Sequence, residues 1–392
     1  MQYRKDKLGN ELSVLGLGCM RFPRDKAETE RMVLAAIEGG INFFDTGYIY
    51  ADSEKTLGEI LAKHNKRNDI YISAKLPIFM CKSAADFDKF FDEQLRRLQT
   101  DYVDYYFMHC ITGYAEWETL KELGIEQWIA EKKKNGQIKQ VGFSFHGTCE
   151  QFLKILDDYQ WEFCMIQYNY SDENYQAGRK GLLAAAEKGI AVMIMEPLLG
   201  GTLATGLPKR AKDLFAEVDA SLSPADWAFR WLWSQSEVTV VLSGMTSTQI
   251  MESNLRSIKK FSPITDKEFD VYVDVVAEFR KAYKINCTGC NYCLPCPKEI
   301  NIPACFAAYN ASYAQGFMTG LTLHTVSTGA AITKDIKSPR LCNQCGKCEK
   351  ICPQNIQIRK ELKKVAWRFE SLPLSSPVMV RGSLPCCFPR IT

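Results

Sequence analysis

Eight cysteines in the last third of the chain carry its clearest chemical pattern. Cys287, Cys290, Cys293 and Cys296 are each three residues apart and precede Pro297, while Cys342, Cys345, Cys348 and Cys352 precede Pro353. The second run has the C-x2-C-x2-C-x3-C-P spacing that wraps iron and sulfide. Three thiolates on one tight loop hold one face of a cubane, and the fourth, beside a proline that turns the chain, reaches a second cluster. The predicted crossed sets are Cys287, Cys290, Cys293 with Cys352, and Cys342, Cys345, Cys348 with Cys296. The first run departs from the pattern by having two residues, not three, before its last cysteine. A zinc ribbon needs only four thiolates, usually in C-x2-C pairs, so two overlapping runs with trailing prolines favour two [4Fe-4S] clusters. Cys19, Cys81, Cys110, Cys149 and Cys164 stand singly, without ligand spacing, and read as small buried apolar residues.

A second set lies far upstream: Asp45 and Tyr50, then Lys75, then His109, with Lys75 and His109 following Asp45 and Lys75 by 30 and 34 residues. Those intervals are each about one strand plus one helix. Short branched runs alternate with longer amphipathic ones, placing strands at Leu12 to Gly18, Ile41 to Asp45, Ile70 to Lys75, Val103 to His109, Lys139 to Ser144, Cys164 to Gln167, Ala191 to Glu196 and Val238 to Ser243. Helices are expected at Lys26 to Glu38, Ser53 to His64, Asp86 to Leu98, Trp117 to Lys134, Gly178 to Lys188, Pro224 to Ser234 and Thr248 to Lys259. Eight strand-helix units fit an α/β (β/α)8 TIM barrel better than a doubly wound sheet, and no G-x-G-x-x-G follows the first strand. In such a barrel the acid, phenol, ammonium and imidazole recur on one rim, at the C-terminal strand ends where the chemistry sits.

Asp45-Thr46-Gly47-Tyr48-Ile49-Tyr50, followed by Ser53-Glu54, Leu57-Gly58, Lys75 and His109, resembles the aldo-keto reductase superfamily over residues 1 to 260. Together with the two cysteine runs, the chain is similar to its iron-sulfur branch, and the second module resembles the helical two-cluster ferredoxins. The resemblance implies that Asp45, Tyr50, Lys75 and His109 form a catalytic tetrad that reduces an aldehyde or ketone, or oxidises the alcohol, with NADPH or NADH. A lysine ammonium ~4 Å from a phenolic oxygen favours phenolate by about 4 kcal/mol at an effective dielectric near 20, roughly three pKa units. Lys75 would tune Tyr50 as proton donor, Asp45 would hold Lys75 charged, and a neutral His109 would orient the carbonyl.

By the same resemblance, Ser144, Gln167, Met195, Gly244 and Asn254 match cofactor-binding positions. Phe145 stands where the superfamily commonly has Asn, with His146 next to it as a substitute, and Met195 replaces the usual stacking tyrosine. The loop Ser243 to Ser247 has no Lys or Arg before Arg256, so preference for the 2′-phosphate of NADPH does not carry over. Nicotinamide gives two electrons as hydride and each cluster takes one, so exchange between them needs a flavin or another splitting centre. A flavin is compatible with this count, but no residue pattern indicates one. The alternative reading is an electron-transfer component whose barrel binds nucleotide or flavin and whose clusters serve a redox protein partner.

The organisation expected is a barrel over 1–260, a linker helix over 261–284, a 4Fe-4S ferredoxin-type domain over 285–370 with a helix at Ile302 to Gly316, and a disordered tail over 371–392. The loops Phe79 to Ser83, Ile111 to Glu116 and Leu199 to Ser223 would set specificity, and Tyr48, Trp117 and Phe145 hint at an aromatic-lined mouth, although aromatic residues near a barrel rim more often serve packing. Of 392 residues, 46% are apolar, and 49 Lys and Arg against 46 Asp and Glu leave a net charge of +3. That balance excludes a disordered chain and removes the electrostatic case for nucleic acid. No run reaches the length of a membrane span, and no apolar stretch follows the first charges, which predicts a cytoplasmic location.

Overall fold

The computed structural model describes residues 1–330 and 336–371. The expected disordered tail therefore lies outside the described residues except for Ser371. A hairpin of β1 (Tyr3–Lys5) and β2 (Glu11–Ser13) precedes eight barrel strands. These are β3 (Leu15–Gly18), β4 (Phe43–Asp45), β5 (Tyr71–Leu76), β6 (Val103–Ile111), β7 (Ile138–Phe145), β8 (Phe163–Gln167), β9 (Ala191–Met195) and β10 (Val238–Ser243). All neighbours are parallel, and β10 pairs with both β9 and β3 to close the ring.

Register explains how one rim collects the reactive side chains. Asp45 pairs with Ser73, and Lys75 pairs with Phe107. Lys75 lies two residues beyond Ser73, and His109 two beyond Phe107. Because strand side chains alternate with period two, Asp45, Lys75 and His109 share one face and step up successive strands with the barrel's stagger. Below them, the interior is filled by Phe43, Tyr105, Phe107, Phe163, Met165 and Met193. The hairpin closes the opposite end, where the Asp6 carboxylate accepts from the Tyr105 hydroxyl at 2.5 Å, from Asn10 Nδ2 and from Gln140 Nε2.

Several expected elements differ from what forms. The run Leu12 to Gly18 is two strands, because Ser13 turns its hydroxyl onto the Leu15 carbonyl and its N–H onto Asn42 Oδ1. The expected helix Trp117 to Lys134 is two, Tyr114–Glu122 and Ile125–Lys134, separated by Gly124 at φ +84°. That left-handed value ends a helix, and glycine adopts it without a Cβ penalty. Within the region expected as a loop after Leu199 lies the helix Lys209–Asp219, whose Phe215 stacks on Trp227.

The chain divides into two compact units, the first spanning Met1–Arg280 and the second beginning at Lys281. Helix Asp266–Ala282, expected as part of a linker, packs on the barrel: the Tyr272 hydroxyl donates to the Trp227 carbonyl at 2.8 Å, and Glu268 pairs with buried Arg230 at 2.9 Å. In the second unit, helices Ile302–Ala314, Phe317–Ser327 and Ile358–Glu370 enclose a core of Ile300, Phe306, Leu362, Val365 and Phe369. Among the described residues, no helix is long and apolar enough to cross a membrane.

Helix Ser53–His64 meets the end of helix Ala85–Leu98 at Gly58, where a Cβ would lie 2.4 Å from the Arg97 carbonyl oxygen and 2.6 Å from the Leu98 carbonyl carbon. Backbone cannot yield as a side chain can. Gly58→Ala is therefore expected to destabilise the barrel by about 1–3 kcal/mol through overpacking, measured as a lowered midpoint in reversible denaturation.

Candidate active site and cluster-binding cysteines

At the rim of β4, the Lys75 ammonium donates to Asp45 Oδ1 at 2.5 Å and to the Thr46 carbonyl at 2.5 Å, while Ser73 Oγ donates to the same carboxylate oxygen at 2.6 Å. Its side chain is 1% exposed. Burial lowers the Lys75 pKa and the Asp45 charge and hydrogen bond oppose the fall. The ammonium stands 4.8 Å from the centre of the Tyr50 ring. Tyr50 is brought over it by a tight turn, in which its N–H donates to the Gly47 carbonyl and its carbonyl accepts from Ser53 N–H, both at 2.9 Å. Gly47 lies against both side chains: a Cβ there would be 3.4 Å from Lys75 Cδ and from Tyr50 Cε2.

His109 meets Tyr50 edge-on at 5.7 Å between ring centres. It is buried, its Nδ1 has no hydrogen-bond partner among the described residues, and burial holds its pKa well below the usual imidazole value, aided by the Lys75 charge and by His146. A neutral imidazole with an orphaned buried nitrogen is poised to bond a ligand. Burial pushes His146 down to about 4, opposed by its side-chain interaction with Gln176. The structure thus brings Asp45, Tyr50, Lys75 and His109 together at one mouth.

Residues beyond those read from the sequence support this group. Gln94 Nε2 donates to buried Glu54 at 2.5 Å and to the Lys75 carbonyl at 3.2 Å, and its Oε1 accepts from the Tyr106 hydroxyl. Arg97 pairs with Glu54 at 3.1 Å, donates to the Tyr48 carbonyl and covers the Tyr48 ring at 4.4 Å. Burial raises the Glu54 pKa, opposed by these bonds. Ser73 was legible as the inward neighbour two residues before Lys75; nothing local marked Gln94 or Arg97. Tyr48, Trp117 and Phe145 pack internally, on Phe90, Trp161 and Phe152. Besides Tyr50, Phe79 stands near the imidazole, 60% exposed and 6.2 Å from His109 between ring centres.

The expected cofactor-binding residues also lie at strand ends. Ser144 Oγ accepts from Cys110 N–H at 2.7 Å, holding Cys110 in a left-handed turn at φ +63° directly after His109. Gln167 Nε2 donates to Asp172 Oδ2 at 3.0 Å, and Met195 ends β9 half-buried. Asn254 is buried with its Nδ2 donating to Ser243 Oγ at 2.9 Å, so this amide ties its helix to the strand end. Gly244 is exposed, and Arg21 Cδ comes within 3.9 Å of where its Cβ would be. A guanidinium side chain therefore reaches this loop from the β3 end, which the loop's own sequence did not reveal.

In the second unit, Cys287, Cys290, Cys293 and Cys352 line one small pocket walled by Ile302, Phe306 and Ile358. Burial beside the other three pushes the Cys293 thiol up to about 12. Cys342 and Cys296 are the cysteines beside Cys348, and Arg359 lies near both Cys342 and Cys348. Such packing disfavours thiolates unless metal charge offsets them, which suits an iron-sulfur cluster. Among the described residues, no three of His, Cys, Asp or Glu converge on a point for a single metal ion.

Comparisons with known proteins agree with these two units. A family profile described as "Aldo/keto reductase family" matches residues 14–276, and one described as "4Fe-4S dicluster domain" matches residues 286–358. The chain is 25% identical over 290 residues to "Uncharacterized oxidoreductase YqkF" of Bacillus subtilis, covering 65% of this chain and 90% of that protein. It is 26% identical over 255 residues to "6-dehydroglucose reductase" of Novosphingobium aromaticivorans, covering 60% and 82%. The holo form of aldo-keto reductase AKR11C1 from Bacillus halodurans superposes with a TM-score of 0.60 at 23% identity, covering 70% of this chain and 96% of that one, a likeness of fold. The chain belongs to the aldo/keto reductase family and is an oxidoreductase with a C-terminal 4Fe-4S domain.

Proposed function

We propose that the barrel interconverts an aldehyde or ketone and its alcohol with Tyr50 as the proton-transferring residue, and that the second unit holds two [4Fe-4S] clusters in crossed cysteine sets. The observation that carries the first part is the buried Lys75 ammonium, fixed by Asp45 and Thr46 under the Tyr50 ring. A bound nicotinamide would supply or accept the hydride, with Ser144, Gln167, Met195, Gly244 and Asn254 as its candidate contacts.

The chain's own residues do the rest. Asp45 and Ser73 keep Lys75 oriented, so its positive charge faces the phenol without reorganisation during the reaction. That charge favours phenolate and lets Tyr50 give its proton to a developing alkoxide or take it back from an alcohol. The neutral imidazole of His109 bonds the same oxygen and fixes the carbonyl's orientation. The complete group disfavours a barrel that only binds nucleotide, since simple binding has no need of a tuned phenol and ammonium.

For the second unit, the cavity shared by Cys287, Cys290, Cys293 and Cys352 supports the crossed assignment, in which the first cluster takes its fourth ligand from the second run.

Tyr50→Phe is expected to lower carbonyl turnover by about a hundred- to ten-thousand-fold with nicotinamide binding retained, measured by steady-state kinetics and fluorescence titration. Turnover near that of the unaltered protein would remove Tyr50 as donor. Because burial holds His109 well below 6.5, the kcat/KM profile between about pH 5 and pH 10 should show no inflection near pH 6.5. Its alkaline limb should fall below the ordinary lysine value of 10.5, because burial lowers Lys75 and activity is lost as that proton leaves. An inflection near pH 6.5 that vanishes in His109→Gln would contradict the neutral imidazole. Cys352→Ser should alter the same reduced-cluster spectrum, by electron paramagnetic resonance, as Cys290→Ser; a spectrum matching Cys345→Ser instead would overturn the crossed sets.

A further inference from the structure

Charge in this chain is concentrated at one place. The whole sequence carries a net +3, yet residues 336–371 hold nine Lys and Arg against three Glu, a net charge of +6. The segment 285–330, which carries the first cysteine run, contains only Lys298 and Glu299 as charged residues. The excess therefore belongs to the side of the unit built from the second run.

Ion pairing does not consume this excess. Glu349 is taken by Arg359 at 2.7 Å, Glu361 by Lys364 at 2.7 Å, and Glu370 by Arg340 at 2.9 Å and His324 at 3.1 Å. Lys347, Lys350, Lys360 and Lys363 are exposed and make no ion pair among the described residues. Apolar surface is interspersed with them: Leu341 is 45% exposed, Ile351 52% and Trp367 73%. An open groove joins Cys342 to Trp367, walled by Arg340, Gln344 and Lys363. Of the eight ligand-spaced cysteines, Cys345 alone is classed as exposed. A cluster held there has its edge near solvent, on a loop followed directly by the unpaired Lys347 and Lys350.

We propose that this face, formed by the Cys345 loop, the turn Lys347–Lys350 and helix Ile358–Glu370, docks an acidic one-electron carrier protein. The inference rests on the reading that Cys342, Cys345, Cys348 and Cys296 hold an iron-sulfur cluster. Unpaired lysines at the rim raise the encounter rate with an anionic partner and lose that effect as salt screens them. Trp367, Leu341 and Ile351 supply the apolar contact that such a weak, transient interface needs at its centre. One electron passes between the carrier's centre and the cluster, with no bond made or broken and no proton moved: the donor is oxidised by one electron and the acceptor reduced by one. Residues 372–392 contain two arginines and no Asp or Glu, so their side chains do not supply the negative charge that this face attracts.

The test uses the full chain, reconstituted anaerobically, with iron and sulfide content and the reduced-cluster spectrum measured first, so that failure of the cluster reading is seen separately from failure of docking. Binding is then measured by interferometry to an acidic [2Fe-2S] ferredoxin, to cationic cytochrome c and to a single-stranded oligonucleotide. The expected result is binding to the acidic ferredoxin that weakens about tenfold or more between low and high salt, with no comparable binding to cytochrome c. Lys347→Glu combined with Lys363→Glu should weaken binding about tenfold with iron content unchanged, and Trp367→Ala should weaken it while leaving the salt dependence intact. If the double variant loses iron, the single variant Lys363→Glu replaces it. Salt-independent binding, unchanged affinity in the charge variants, or an oligonucleotide that binds while the ferredoxin does not would each overturn the proposal.

Discussion

A lysine ammonium buried at the mouth of the barrel is the constraint from which the rest of the active site follows. Lys75 is 1% exposed, and an unpaired charge at that depth would cost several kcal/mol. Asp45, Thr46 and Ser73 remove that cost by hydrogen bonding, and each requires a particular backbone course. Asp45 must be the last residue of β4 and pair with Ser73, so that the carboxylate sits beside the inward residues of β5. Thr46 must turn its carbonyl back onto the ammonium, and its hydroxyl is held by Ser53 at the start of the next helix. The same turn delivers Tyr50 over the ammonium. Removing either member of the Lys75–Asp45 pair would leave the other charge buried, a loss of about 3–5 kcal/mol, so stability and chemistry are set by one pair.

A second buried charge sits one layer further out. Glu54, Gln94 and Arg97 join helix Ser53–His64 to helix Ala85–Leu98 beneath Tyr48. Gln94 also holds the Lys75 carbonyl, so the strand carrying the ammonium and the helix following Tyr50 are bonded through a single amide. The close backbone approach at Gly58 keeps those helices near enough for these bonds. Rigidity at the rim thus comes from side-chain bonds between helices as much as from the strands, as a preorganised electrostatic site requires.

Sequence periodicity made the barrel legible, because each parallel strand is a short apolar run and each crossover helix an amphipathic one. The helices Lys26–Glu38, Ser53–His64 and Thr248–Lys259 form at the bounds their patterns indicate. Asp25 and Ser247 cap two of them through side-chain bonds to Ala27 and Ile250. The breaks at Ser13 and Gly124 were hidden for a physical reason: each depends on a backbone turn inside a stretch whose apolar pattern continues. The placement of Asp45, Lys75 and His109 on one rim could be read from strand spacing, whereas Ser144, Gln167 and Met195 were marked only by family resemblance. Gln94, Arg97 and Arg21 could not, since their roles arise from helix and loop positions that only the folded barrel brings to the rim.

One residue type serves opposite ends in the two units, and the difference is environmental. Burial beneath the Asp45 charge raises the Cys19 thiol well above its ordinary value, and burial pushes Cys81 up to about 12. Such thiols stay protonated at neutral pH and neither ligate metal nor attack substrate. In the second unit, thiols are also raised, but by one another as well as by burial, with Cys287, Cys290 and Cys352 grouped about Cys293. Mutual repulsion is a cost that a cluster's positive iron ions reverse. The same burial that keeps Cys19 and Cys81 protonated therefore makes the grouped ones dependent on the metal, and the second unit's core, against which Cys287, Cys293 and Cys352 pack, is coupled to cluster assembly.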